Sequence, residues 1–139
     1  MEAAKQHLAN HHVRPSMQRI AIMKYLMEHR THPTVDTIYN DLLPSIPTLS
    51  RTTVYNTLEL FSAKHAVLAL TIDKRNVRYD ACTIPHAHFM CRKCGHVFDV
   101  ELDAISIELL YNTDEFLVEK VELNSVGLCP DCRKEEEEN

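Results

Sequence analysis

The sequence predicts an α+β protein in two parts: helices closed by a β-hairpin, then a small α/β part fastened by metal. Three observations carry that expectation. Apolar residues recur at helical spacing after each of several proline-marked breaks up to about residue 63. A run of β-formers with a basic turn follows them. Two Cys-x2-Cys pairs then bracket the C-terminal part.

The helices come first. Arg14-Pro15-Ser16 ends one segment and caps the next, in which Ile20, Met23 and Met27 recur on one face. His32-Pro33-Thr34 repeats the device before Val35, Ile38 and Leu42. Pro44 and Pro47 enforce a turn, and Leu49-Ser50 opens a helix carrying Val54, Leu58 and Phe61. These stripes are core. The opposite face of the last helix carries Arg51, Thr52, Tyr55 and Asn56, so the order of elements is that of a helix-turn-helix. Val67–Ile72 and Val77–Tyr79 read as strands joined by the polar turn Asp73-Lys74-Arg75-Asn76. A hairpin with a basic tip directly after a recognition helix makes a winged helix; the bland alternative is a helical domain with a surface hairpin.

From Phe89 the texture changes. Phe89–Cys91 and Val97–Val100 read as short strands, Asp103 can cap a helix with Ile105, Leu109 and Leu110, and Phe116–Val126 is rich in strand formers. The expected organisation is a winged-helix DNA-binding domain over residues 1–80, a hinge over 81–86, and a metal-binding domain over 87–134. A solvated, disordered acidic tail is expected over 135–139.

Charge divides along the same line. The net charge of -5 hides ten Lys+Arg against seven Asp+Glu in residues 1–80, and five against thirteen in residues 81–139. A mildly basic first half suits a polyanion better than the total suggests. No apolar run approaches the ~20 residues that span a bilayer, and no signal peptide opens the chain, so a cytoplasmic location is expected.

Four of the five cysteines form Cys91-Arg-Lys-Cys94 and Cys129-Pro-Asp-Cys132. Two such pairs offer four thiolates in two knuckles, the set that tetrahedral structural zinc takes. Gly95 suits the knuckle turn. With all four positions filled by sulfur, no site remains for a catalytic water. Neither pair reads as the strand-to-helix turn of a βαβ pattern, where a redox pair would sit, and His86-Ala87-His88 lacks the glutamate of a zinc deaminase.

A second metal site is suggested by His86-x-His88, whose rings point to one face of a strand. Asp80 and Asp99 lie near enough in sequence to join them. His7, His11, His12, His29 and His65 read as solvated surface, and His96 as a bland neighbour of the knuckle.

These residues resemble those of the ferric uptake regulator (Fur) family. The resemblance rests on Pro33-Thr-Val-Asp-Thr-Ile-Tyr39, Thr53-Val-Tyr-Asn-Thr57, His86-x-His-x-x-Cys-x-x-Cys-Gly95 and Cys129-x-x-Cys132, in order from about Leu8 to Cys132. Within the family the sequence is most similar to the peroxide-sensing PerR branch. That resemblance implies a regulatory Fe(II) or Mn(II) held by His32, Asp80, His86, His88 and Asp99, beside the structural Zn(II). It also implies that peroxide oxidises His32 or His86, so that metal and operator are released. Iron-responsive relatives typically carry glutamates where Asp80 and Asp99 stand; zinc-responsive ones often place a cysteine near Asp80. Two departures are visible. Ala87 and Glu119-Lys120-Val121 leave out the additional His/Asp-rich site of many members, and Cys82 is not part of the PerR pattern.

The resemblance implies a repressor, not an enzyme, working on palindromic double-stranded DNA as a homodimer, with residues 87–134 as its dimerisation domain, and needing no membrane. Tyr55, Arg51, Thr52 and Asn56 are the candidates for the major groove, and Arg14, Arg19, Lys74 and Arg75 for phosphates. Three alternatives stay open: an iron-level repressor without peroxide chemistry, a zinc-responsive regulator using Cys82, and a metalloenzyme using the His/Asp set. Against the last stand the helix-turn-helix and the lack of an evident lid or Gly-rich substrate loop.

Overall fold

A computed structural model describes residues 1–84, 86–103, 108 and 114–138. The chain divides into two compact units, Met1–Thr83 and Ile84–Asn139.

The first unit holds α1 (Glu2–Asn10), α2 (Met17–Glu28), α3 (Val35–Leu42) and α4 (Arg51–Ala63), followed by β1 (Leu68–Leu70) and β2 (Arg78–Asp80). The expected caps are in place. Ser16, Thr34 and Ser50 each accept a hydrogen bond from the backbone N–H three residues on, at 3.2, 3.2 and 3.1 Å. Each thereby satisfies one of the donors a helix start leaves without a partner. Leu8, Ile22, Met23, Leu26, Ile38, Val54, Leu58 and Phe61 pack into one core, closed by Val67 and Tyr79 from the hairpin. One expected core residue is not there: Met27 is exposed, and α2 buries Ile22, Met23, Tyr25 and Leu26 instead. With apolar residues at every position of Ile20–Met27 except Lys24, spacing alone did not choose the inward face. β1 and β2 pair antiparallel with Leu68 opposite Asp80, Ala69 opposite Tyr79 and Leu70 opposite Arg78. The strands are shorter than their β-forming runs, and the basic turn lies between them as expected.

The second unit is a three-stranded sheet of β3 (Ala87–Cys91), β4 (Val97–Val100) and β5 (Asn124–Gly127), in the order β4-β3-β5, with α5 (Pro130–Glu138) after it. β4 runs antiparallel to β3 and β5 parallel to it. The strand expected over Phe116–Val126 shrinks to β5. Phe116 and Leu117 lie exposed, because β-propensity takes effect only where a strand finds a neighbour. The helix expected after Asp103, with Ile105, Leu109 and Leu110, falls on positions mostly outside the described residues. The acidic tail is a further correction: Glu135–Glu138 continue α5. Lys93 meets Glu135 at 3.1 Å, Arg92 meets Glu136 at 3.5 Å and Arg133 meets Glu137 at 3.1 Å, so opposite charge offsets the self-repulsion of the run. Among the described residues no helix is long and apolar enough to cross a membrane.

Candidate metal centres and nucleic-acid interface

The four paired cysteines converge. Cys91 ends β3, and the chain turns back at Gly95 (φ +78°), with Gly95 N–H donating to Cys91 O at 2.9 Å and Cys91 N–H to His96 O at 2.9 Å. Cys129 precedes α5 and Cys132 lies in its first turn. One sulfur from each of the four lies within 4.8 Å of the others, with Cys94 Sγ and Cys129 Sγ 3.9 Å apart. A tetrahedral zinc thiolate with bonds of ~2.3 Å has sulfur–sulfur edges of about 3.8 Å. The donor set and spacing therefore fit a structural zinc. Backbone N–H groups of Cys94 and then Cys129 hold the Cys91 thiol down at about 6, whereas burial pushes Cys132 up to about 12. Without a cation, crowded thiols cannot all ionise; a divalent metal removes that conflict. His96, read from the sequence as bland, has its Nδ1 3.3 Å from Cys94 Sγ, against the one exposed cysteine of the four.

The other donors form a set within each unit. In the first, His32 Nε2 lies 3.2 Å from Asp80 Oδ2, and both side chains are buried. Local bonds explain how they meet. Tyr79 N–H donates to Pro33 O at 3.1 Å and Arg78 Nη1 to His32 O at 3.1 Å, so β2 pins the loop that precedes α3. His32 itself sits at φ +58°, a left-handed conformation that histidine tolerates better than most residues but that still costs backbone energy. Asp80 Oδ1 accepts the Cys82 N–H at 2.9 Å and lies 3.8 Å from Arg30. Cys82 thus holds the carboxylate through its backbone.

In the second unit the β3–β4 register puts His88 opposite Asp99. Asp99 Oδ1 lies 3.0 Å from His86 Nε2 and 3.4 Å from His88 Nε2. The two rings are 4.3 Å apart between centroids, the same-side arrangement that the His-x-His spacing predicts. His86 Nδ1–H donates to Ile84 O at 2.6 Å, which directs its Nε2 lone pair at a neighbour. Histidine nitrogens and aspartate oxygens together suit a first-row divalent metal.

The sequence-chosen DNA contacts are mostly exposed. Thr52, Tyr55 and Asn56 lie on the outer face of α4, Tyr55 half exposed, and Lys74 and Arg75 stand at the hairpin tip. Asp73 shapes that tip by accepting the Arg75 N–H at 2.9 Å; this bond, opposed by partial burial and aided by Arg78, holds its carboxyl below the usual value. Arg14 is exposed and Arg19 half-buried, with Arg19 Nη1 donating to Arg14 O at 2.9 Å. Arg51 is more engaged than expected: its Nε meets Asp36 at 2.9 Å and its guanidinium lies 4.5 Å from the Tyr39 ring centre. Neither partner was visible in the sequence, since both belong to α3.

Helices presenting a polar face, a basic hairpin, a closed thiolate site and separate His/Asp donors define a metal-dependent transcription regulator. The sequence pattern of the Ferric uptake regulator family matches residues 10–125. The chain belongs to that family, which comprises transcription regulators rather than enzymes. It is PerR-like: it is 36% identical over 126 residues to the peroxide-responsive repressor PerR of Staphylococcus epidermidis, covering 88% of this chain and 83% of the relative. The structure of PerR from Streptococcus pyogenes, described as a basis for peroxide sensing and gene regulation, is 31% identical. It matches with a TM-score of 0.52, over 94% of this chain and 91% of that one. The ferric uptake regulator of Pseudomonas aeruginosa with manganese has a TM-score of 0.73 over 91% and 98% of the two chains; at 19% identity it shows the fold alone.

Proposed function

We propose that this chain is a peroxide-sensing repressor, with Zn(II) in its four-cysteine site and Fe(II) or Mn(II) as its regulatory metal. The observation that carries the reading is the donor set. His32 with Asp80, and His86 and His88 with Asp99, supply three histidines and two aspartates, each group already gathered inside its own unit. The likeness to the peroxide-responsive repressor PerR supports the same reading. One cation drawing on both groups would select the conformer in which they meet, in proportion to its extra affinity for it. Residues 81–86 then serve as the hinge, 1–80 as the DNA-binding domain and 87–134 as the dimerising one.

In this reading a cytoplasmic homodimer presents two α4 helices to a palindrome. Tyr55, Thr52, Asn56 and Arg51 face base edges, while Arg14, Arg19, Lys74 and Arg75 meet phosphates. Fe(II), when bound by these residues, would catalyse cleavage of the peroxide O–O bond, with peroxide as the two-electron oxidant and a ligand histidine ring as the group oxidised. His32 or His86 would take up one oxygen atom, the other leaving as water, and the altered ring would no longer offer the same lone pair. Donors lost on one side free the hinge, and DNA is released.

The test uses a duplex enriched from a randomised pool by the Mn(II)-loaded protein. Peroxide should release it from the Fe(II) form, with a gain of one oxygen on His32 or His86, and leave the Mn(II) form bound. Release with unmodified histidines would sink the peroxide reading. Equal affinity of the zinc-containing chain with and without the second metal would sink regulation by that metal altogether.

A further inference from the structure

Two histidines outside both donor sets form a pair. His7 lies in the last turn of α1 and His11 caps it, one helical turn further on. Residues at i and i+4 share a face, and here both rings are half-buried with centroids 4.6 Å apart at 48°. The sequence reading of both as solvated surface therefore gives way. His7 Nε2 lies 2.7 Å from the Ala66 carbonyl oxygen. A carbonyl only accepts, so Nε2 carries the proton and Nδ1 keeps its lone pair. A histidine anchored through one nitrogen on a backbone carbonyl, with the other nitrogen left to ligate, is how metal-binding histidines are held. The protein uses the arrangement elsewhere: His86 donates to Ile84 O, and its ring lies 4.3 Å from that of His88 at 56°.

We propose that His7 and His11 form a third metal site, taking a borderline first-row divalent cation such as Ni(II), Cu(II) or Zn(II). Two neutral imidazoles with water completing the shell suit these ions; hard Mg(II) and Ca(II) require oxygen donors, and Mn(II) binds such nitrogen sites least well of the series. A cation bridging the pair fixes the last turn of α1. Through the His7 bond to Ala66 it also ties that turn to the segment between α4 and β1, next to the helix that presents Tyr55.

Equilibrium dialysis of the full, zinc-containing chain against Ni(II), with bound nickel counted, tests the site. His11→Ala and His7→Gln should each hold one equivalent fewer than the unaltered chain, while His12→Ala should match it. Equal nickel in the unaltered chain and His11→Ala overturns the proposal, as does a loss in His12→Ala. Because the reading is a difference, failure of the regulatory His/Asp set would change every total and leave the difference intact. Stepwise Ni(II) addition to the unaltered chain, followed by proton NMR, needs no variant. Paramagnetic broadening of the His7 and His11 ring signals together supports the site, and their persistence at saturation overturns it.

Discussion

Ser50 shows how one side chain positions the surface assigned to DNA. Its hydroxyl takes the Thr53 N–H at 3.1 Å and so fixes where α4 begins, one residue before Arg51. Ser50→Ala removes that acceptor and should cost about 1 kcal/mol, whereas Ser50→Gly should cost only a few tenths. Urea unfolding followed by circular dichroism reads the difference; equal stability of Ser50→Ala and the unaltered chain would rule out a role for the cap. Caps of this kind were legible in the sequence because they are local. Proline, then Ser or Thr, then an apolar period fixed all three helix starts. His32 was legible only through family likeness. Its placement depends on a left-handed backbone and on β2, whose Arg78 reaches its carbonyl across forty-six positions. No local pattern encodes such a pairing. His96 and the His7–His11 pair were read as bland for the same reason: their partners, a folded sulfur cluster and the carbonyl of Ala66, exist only after folding.

At the scale of elements, the β1–β2 hairpin has a dual task. Its inner side supplies Tyr79 to the core and Asp80 to a donor pair, while its tip presents Lys74 and Arg75 to solvent. The tip is held by Asp73, which binds both the Arg75 N–H and the Arg78 side chain at 3.0 Å. Substituting Lys74→Ala or Arg75→Ala should therefore spare the fold and leave one phosphate without its cation in each case. The slope of log affinity against log salt should then fall by about 0.9 for each phosphate no longer neutralised. The measurement is anisotropy of the enriched duplex over a salt series; an unchanged slope in the double variant removes the hairpin from the interface. The hairpin's existence could be read from alternating β-formers around a polar turn. Its register could not, because a one-residue slip is decided by which side chains the core accepts. For β5 even the extent was hidden: the β-forming run over Phe116–Val126 supplied more candidates than β3 had edge to pair.

Across the whole molecule, the two units differ in what holds them. Residues 1–83 bury a continuous apolar cluster contributed by all four helices and the hairpin. Among the described residues of the second unit, the buried cluster is Cys91, Cys129 and Cys132, with Phe89 and Leu128 packed against them. A unit of this length has little margin of stability from apolar burial alone. Zinc at four thiolates, with apparent binding of about 10–16 kcal/mol in small zinc domains, would add to that margin. It would join the end of β3 to the start of α5, and so close the loop of chain that carries Asp99 and β5. Cys129→Ser should thus lose zinc and, with it, the calorimetric transition of the second unit, while the transition of the first unit persists. His86 and His88 lie on or beside β3, so the same variant should lose regulatory-metal binding although none of those five donors is altered. A zinc-free Cys129→Ser protein that still melts in two transitions would mean that the sheet stands without its clasp. Retained regulatory-metal affinity in that protein would further separate the two metals. If both are lost together, the thiolate site is what builds the platform on which His86, His88 and Asp99 are held at bonding distance.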